Sequence, residues 1–173
     1  PDSLTPTYSM MKVFLDNWRW QSVPFYMTSG KRLTKKLTEI AIQFKTVPYS
    51  MFRHVLGETI LANRLTLGIH PEEKITLSFQ TKNPGAQVCL RTVTMDFHYD
   101  QNYTGPTLDA YEKVLIDCML GDQMLFWRQD GVELCWKFLM PILNRCETCG
   151  DQADLLDFYE AGSKGPKAAE GIK

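Results

Sequence analysis

Apolar and polar residues alternate along much of the first hundred positions, which is typical of half-buried β-strands. The alternation is clearest from Leu37 to Phe44, and it returns in two later segments, Lys74–Gln80 and Gln87–Tyr99. Three further apolar runs predict strands, although the first also fits a short helix: Tyr8–Leu15, Pro24–Thr28 and Thr59–Ile69. Serial strands joined by short turns such as Pro84-Gly85 predict an antiparallel sheet.

After residue 107 the apolar spacing becomes helical. A first helix is predicted with Thr107 as its N-cap, Asp109 in its first turn and Gly121 at its end. One face of this helix carries an apolar stripe of Leu108, Tyr111, Leu115, Cys118 and Met119.

A second helix is predicted from about Asp130 to Asn144, and Pro141 either ends it early or kinks it. Beyond Phe158 the chain is rich in glycine, lysine and alanine, so residues 159–173 are expected to form a loose tail. The predicted class is α+β, with a large, mostly antiparallel sheet and helices packed on one side or end of it.

Length and composition favour a globular domain over a fibrous or disordered chain. The 173 residues are 44% hydrophobic and 23% charged, which suits one domain with a substantial core. No apolar run reaches the roughly 18 residues of a membrane-spanning helix. The opening Pro1-Asp2-Ser3 does not resemble a signal peptide, so we expect a cytoplasmic location.

The five cysteines do not form a disulfide-like or zinc-like pattern. Cys89, Cys118 and Cys135 lie in apolar stretches, so we expect them to be small buried residues in a reducing compartment. Cys146 and Cys149 have the spacing of half a zinc site or a redox pair, but no second pair of that kind is present. No metal site is therefore predicted.

A basic cluster follows the second predicted strand. Four of the 19 basic residues fall within positions 31–36, although the chain has a formal net charge of −1. Lysine offers a mobile positive charge with three donors, and Gly30 permits a tight turn, so the cluster suits a small anion such as a phosphate. The alternative is a solvated loop with no ligand.

Nearby aromatic residues could resemble a platform for stacking bases: Trp18, Trp20, Phe25 and Tyr26. Their position between strands favours core packing instead. The chain also lacks the basic excess that nucleic-acid binding requires, so no nucleic-acid partner is expected.

Several motifs in fixed order resemble the C-terminal domain of glucose-6-phosphate 1-dehydrogenases, over nearly the whole chain. They are Asp16-Asn17-Trp18-Arg19-Trp20, Val23-Pro24-Phe25-Tyr26, Ser29-Gly30-Lys31-Arg32-Leu33, Glu39-Ile40-Ala41-Ile42-Gln43-Phe44, Met95-Asp96-Phe97-x-Tyr99, Asp109-Ala110-Tyr111-Glu112-x-x-Leu115-Ile116-Asp117, Gly121-Asp122 and Ala161-Gly162-Ser163-x-Gly165-Pro166.

The resemblance implies that residues 1–158 form a substrate-binding and dimerisation domain. In that family an N-terminal Rossmann-like domain binds NADP, and the enzyme converts glucose 6-phosphate to 6-phosphogluconolactone in the oxidative pentose phosphate pathway. This chain has no glycine-rich nucleotide loop, and none of His54, His70 and His98 lies in the context of the family's general base. We therefore expect the isolated chain to be inactive and the catalytic residues to lie outside it.

The resemblance also assigns residues. Lys31 and Lys36 correspond to two lysines of the family's substrate site, whereas Arg32 and Lys35 have no such counterpart. His70 stands where the family commonly has a glutamine that reaches the sugar in some members, and a histidine without a ligand is the favoured interpretation. Leu37 and Gly68 occupy positions at which some animal members bind a second, structural NADP with basic residues, so that site is expected to be absent.

Two functions remain open from the sequence. The first is the C-terminal part of an NADP-dependent glucose-6-phosphate 1-dehydrogenase that forms a homodimer through its sheet. The second is a free-standing homologous domain that binds or assembles without catalysis.

Overall fold

A computed structural model describes residues 5–49, 60–86, 89–101, 103–106, 108–148 and 156–172, without the side chains of 146–148. The contacts divide the chain into two compact units. The first contains residues 1–34 and 105–173, and the second contains residues 35–104. The sequence predicted a single domain, whereas the contacts give two units.

The first unit begins with an antiparallel strand pair. Strands β1 (Tyr8–Phe14) and β2 (Pro24–Gly30) pair along their whole length, with Tyr8 opposite Gly30 and Phe14 opposite Pro24. The ambiguous first run is therefore a strand. β2 continues two residues beyond its predicted end, so that it leads directly into the basic cluster.

The helices of the first unit are α1 (Ala110–Leu120), α2 (Gln129–Thr148) and a short 3₁₀ helix (Lys167–Ile172). Asp109 is the N-cap of α1, and Thr107, the predicted cap, lies outside the described residues. Gly121 ends α1 at φ 70°, as predicted, because glycine adopts this left-handed conformation without steric cost. α2 continues past Pro141 by seven residues, so Pro141 does not end it early, which was one of the two alternatives left open.

The segment after α2 is not a loose tail. Residues 156–172 form hydrogen bonds with Thr7 and with residues 31–34, and Ala169 is one of the two buried residues in the described part of the chain, at 8% exposure. Composition suggested a loose tail because the segment is rich in glycine, lysine and alanine, but composition does not reveal hydrogen bonds to distant residues.

The second unit is a four-stranded antiparallel sheet. Its strands are β3 (Thr38–Gln43), β4 (Arg64–His70), β5 (Lys74–Lys82) and β6 (Leu90–His98), in that spatial order. The α+β class with antiparallel pairing is thereby confirmed. The described strands are distributed over two sheets rather than one.

The register gives the four-stranded sheet two chemically different faces. One face carries two apolar rows, Ile40–Leu67–Ile75–Phe97 and Ile42–Leu65–Leu77–Met95. The other face is polar, with bonds from Thr76 Oγ1 to Asp96 Oδ1 at 2.6 Å and from Gln80 Nε2 to Thr92 Oγ1 at 2.7 Å. The sequence alternation thus predicted both the strands and their faces.

The expected core is largely missing among the described residues. Apart from Ala169, only Asp117 is buried, at 3% exposure, and it bonds to Lys113 one turn earlier in α1. Cys89, Cys118 and Cys135 are exposed, so the prediction of buried thiols was wrong. Trp18 is 95% exposed, and only Trp20 and Phe25 of the aromatic group form a ring contact, at 5.4 Å.

Residues predicted to be buried are exposed because periodicity shows which face of an element is apolar but not what covers that face. No helix in the described ranges is both long and apolar enough to cross a membrane.

Candidate functional site

The basic turn, residues 31–36, begins where β2 ends. Both backbone polar groups of Lys31 are engaged by distant parts of the first unit. Its N–H donates to the carbonyl of Thr7 at 2.8 Å, and its carbonyl accepts from the phenol of Tyr159 at 2.8 Å. The side chain is exposed, and its ammonium has no hydrogen bond or ion pair with any residue that the structure describes. Lys31 therefore combines a hydrogen-bonded backbone with a side-chain ammonium that has no partner among the described residues.

The chain is tightly packed immediately before this lysine. A β-carbon on Gly30 would lie 2.8 Å from Cδ2 of Tyr8 and 3.0 Å from Cδ1 of Leu33, so a glycine is needed at that point. Arg32 adopts φ 50°, a left-handed conformation that non-glycine residues rarely take. Such a conformation persists only where neighbouring contacts hold it.

Those contacts come from the C-terminal segment. The carbonyl of Arg32 accepts from the N–H of Gly162 at 2.8 Å, and the N–H of Thr34 donates to the carbonyl of Ser163 at 2.9 Å. The hydroxyl of Thr34 donates to the carbonyl of Gly162, also at 2.9 Å. A cavity of about 480 Å³ lies beside this part of the chain, and Lys31, Arg32 and Tyr159 contribute to its wall.

Lys36 and His70 lie at one end of the second unit. Lys36 precedes β3 by two residues, and the first residue of β3, Thr38, pairs with His70 at the end of β4. Both side chains are exposed, and neither has a partner in the described part of the chain. His70 is joined to Pro71 by a cis peptide bond. The fold therefore brings two of the three predicted binding residues to the same end of a strand pair, while Lys31 belongs to the first unit.

Another lysine at this end of the sheet is already neutralised. Nζ of Lys74 lies 2.6 Å from a carboxylate oxygen of Glu72. The hydrogen bond and the charge of Lys74 lower the pKa of Glu72, and the same contact raises the pKa of Lys74. Because Lys74 has this internal carboxylate partner, Lys36 is the better candidate for an external anion.

Metal binding was the other chemistry that the sequence raised, through the spacing of Cys146 and Cys149. No group of three His, Cys, Asp or Glu side chains in the described ranges could hold a metal ion. Cys149 is outside those ranges, and the side chain of Cys146 is not described.

A dinucleotide site also finds no support here. Rossmann-type sites are formed where parallel strands diverge, whereas every described strand pair is antiparallel. The described residues therefore do not fit NADP in that manner.

Sequence reasoning missed Tyr159. Its phenol lies 2.8 Å from the carbonyl of Lys31, but the two residues are 128 positions apart. No local spacing links them, and the composition of the segment pointed to a tail.

The fold and the free lysines define an α+β domain that presents cations and contains no described nucleotide crevice. Comparison with known proteins is more specific. The sequence profile of "Glucose-6-phosphate dehydrogenase, C-terminal domain" matches residues 1–172, and the chain belongs to this family.

Individual relatives agree with this assignment. The chain is 43% identical over 172 residues to glucose-6-phosphate 1-dehydrogenase of Aggregatibacter actinomycetemcomitans, covering 99% of the chain and 33% of that relative. It is 40% identical over 173 residues to the Treponema pallidum (strain Nichols) enzyme, with the same two coverages. The chain thus spans about a third of the length of these relatives.

Solved structures match over the same share of this chain. A glucose-6-phosphate dehydrogenase in complex with its substrate glucose-6-phosphate superposes with a TM-score of 0.86 at 32% identity, covering 99% of this chain and 34% of the other. The Mycobacterium avium glucose-6-phosphate 1-dehydrogenase gives a TM-score of 0.79 at 29% identity, with 99% and 34% coverage.

Proposed function

We propose that this chain is the substrate-side domain of a glucose-6-phosphate 1-dehydrogenase and contributes Lys31 and Lys36 to the binding of glucose 6-phosphate. The observation that carries the proposal is the superposition on the substrate-bound dehydrogenase, with a TM-score of 0.86 over 99% of this chain. The free ammonium groups of the two lysines supply the matching chemistry.

The substrate favours such residues because its phosphate is a dianion near neutral pH. Hydrogen bonds from ammonium groups to phosphate oxygens are charge-assisted and stronger than bonds between neutral groups. Lysine also reaches sugar hydroxyls with its three donors. His70, at the same strand end as Lys36, offers one further donor and is the weakest of the three assignments.

The oxidation itself is assigned to the part of the enzyme that lies outside this chain. NADP and the general base are proposed to belong there, since the described sheets do not form a dinucleotide crevice. The role of Lys31 and Lys36 is to hold the sugar phosphate in position for that domain.

We also propose a homodimer through the four-stranded sheet. Its apolar face carries exposed residues that include Ile40, Met95 and Phe97, and an apolar face of this kind requires cover. A cytoplasmic location is consistent with the exposed free thiols of Cys89, Cys118 and Cys135 among the described residues, because reducing compartments preserve them.

The test is steady-state kinetics of four variants of the full-length enzyme at fixed ionic strength. Lys31→Ala and Lys36→Ala are expected to lower kcat/KM for glucose 6-phosphate by roughly ten- to a hundredfold, because a bond to a charged group contributes about 1.5–3 kcal/mol. Arg32→Ala and Lys35→Ala remove the same charge from the same turn and are expected to cost much less.

A melting curve for each variant separates lost binding from lost structure. Equal effects at all four positions would show that the turn acts only as a diffuse positive field. An unchanged Lys31 or Lys36 variant would remove the assignment for that residue.

A further inference from the structure

Tyr159 connects the C-terminal segment to the proposed substrate site. Its phenol lies 2.8 Å from the carbonyl of Lys31, 3.1 Å from the carbonyl of Thr7 and 3.2 Å from Oγ1 of Thr7. A phenol has one hydrogen, so it donates to one of these oxygens at a time, and the Lys31 carbonyl is the nearest. Thr7 in turn accepts from the N–H of Lys31, which closes a small ring of bonds around this residue.

The ring of Tyr159 is also fixed in place. It packs edge-on against Tyr8 with the ring centres 5.7 Å apart. The residues that follow in sequence, Gly162 and Ser163, bond to the backbone of Arg32 and Thr34. Tyr159 is therefore held independently of Lys31 and acts as a rigid support for it.

We propose that Tyr159 is a positioning residue for substrate binding: through its hydroxyl it fixes the backbone from which Lys31 reaches the phosphate or hydroxyls of the sugar phosphate. The proposal rests on the proposed function of Lys31. Its physical basis is that a flexible lysine binds an anion better when its own backbone is already in the bound conformation. The Arg32 conformation at φ 50° shows that this backbone is one that the chain would seldom adopt without support.

The test is Tyr159→Phe in the full-length enzyme. This variant keeps the ring contact with Tyr8 and removes only the hydroxyl. KM for glucose 6-phosphate is expected to rise about two- to tenfold, which is the range for one neutral hydrogen bond, with a smaller change in kcat and none in KM for the coenzyme.

Tyr8→Phe is the matched control. Its ring belongs to the same pair, but its hydroxyl makes only a weak 3.8 Å contact with Sδ of Met10 and does not touch the basic turn. This variant is expected to leave KM for glucose 6-phosphate unchanged. A rise as large as that of Tyr159→Phe would show that the ring pair, and not the Tyr159 hydroxyl, determines binding.

A double-mutant cycle separates positioning from general stability. If Tyr159 acts through Lys31, its effect disappears in a Lys31→Ala background, so the double variant has the KM of Lys31→Ala alone. Additive effects in the cycle would overturn the proposal.

Failure of this inference can be distinguished from failure of the proposed function. An unchanged KM in Lys31→Ala contradicts the role of Lys31 itself. A raised KM in Lys31→Ala with an unchanged KM in Tyr159→Phe contradicts only the role of Tyr159.

Thr34→Val provides a second route should Tyr159→Phe fold poorly. It removes the hydroxyl bond to the Gly162 carbonyl and leaves both tyrosine rings in place. The same cycle with Lys31→Ala is expected to be non-additive, and an additive result would again contradict support of the turn by the C-terminal segment.

Discussion

Tyr8 shows how closely single residues are matched in the first unit. Its ring packs against the backbone at two glycines. A β-carbon on Gly30 would lie 2.8 Å from the ring, and one on Gly165 would lie 2.6 Å from it. Gly165 also adopts φ 110°, where an L-residue is strained even in open space. The lack of space beside Tyr8 and the positive φ therefore explain why a glycine precedes Pro166 in this motif.

Gly165→Ala is expected to lower the free energy of unfolding by about 1–3 kcal/mol, because strain at positive φ and a clash with Tyr8 act together. Gly131→Ala is the control. Gly131 lies in the first turn of α2 with no atom near the added methyl group, so alanine should raise stability by about 0.5–1 kcal/mol. Urea denaturation measures the change in the free energy of unfolding for both variants. A Gly165→Ala protein as stable as the wild type would contradict the packing described for Tyr8.

Sequence reasoning at this scale depends on residues with a chemical signature. Lys31 and Lys36 were identified from charge and motif, although their binding role stays a prediction. Tyr159 and the buried Asp117 carry no comparable signature, since both are defined by what they contact. The aromatic group was assigned to a core from its position between strands, and the cysteines from their apolar neighbours, but the structure exposes most of these residues.

At the scale of elements, local sequence determines much of the structure. Asp109 caps α1 by accepting from the N–H of Tyr111, and the side chain of Glu112 accepts from the N–H of Asp109 at 2.9 Å. This reciprocal arrangement is a capping box, and it satisfies backbone donors that a helix start leaves free. Apolar periodicity located the helix itself, but the choice between neighbouring polar residues as its cap was wrong by two positions.

Asp109→Ala is expected to lower the free energy of unfolding by about 1 kcal/mol, as for other N-cap replacements. Glu112→Gln is a suitable control, because the amide oxygen of glutamine can still accept from the N–H of Asp109 while the charge is removed. Its expected cost is only a few tenths of a kcal/mol. Chemical denaturation, with helix content followed by circular dichroism, distinguishes the two variants, and equal losses would mean that charge rather than the cap geometry matters.

Strands were predicted better than their surroundings for a related reason. Alternation is a property of the strand itself, so all six described strands were found. Five of them were predicted to within three residues of their observed ends. β4 is the exception. Its predicted start at Thr59 lies outside the described residues, and residues 60–63 are not in a strand. The hydrogen bonds that hold the C-terminal segment depend on residues far away in sequence and could not be predicted in this way.

At the scale of the molecule, the described residues form little core, and the chain covers only part of the length of its relatives. The described residues expose apolar side chains on both helices and on one face of the sheet, including Leu115, Trp136 and Met95. The chain spans about a third of the relatives that it matches. Sequence periodicity found these apolar faces correctly, and it could not show that their cover is absent from the described part of the chain.

The proposed homodimer makes a prediction that depends on the two faces of the sheet. Met95 and Thr94 are neighbours on β6, so their side chains point to opposite faces, and Met95 is 60% exposed in the apolar row. Met95→Glu would place an unpaired carboxylate in an apolar interface, which costs several kcal/mol, so the dimer dissociation constant is expected to rise at least tenfold. Thr94→Glu adds the same charge on the polar face and is expected to leave dimerisation unchanged.

Sedimentation velocity of the full-length protein over a micromolar concentration series measures the dissociation constants of both variants. A monomeric wild-type protein would contradict the dimer, and equal dissociation constants for the two variants would contradict the apolar face as its interface. A selective effect of Thr94→Glu would move the interface to the polar face, where the ladder of threonine, serine and glutamine hydrogen bonds would have to be shared with the partner.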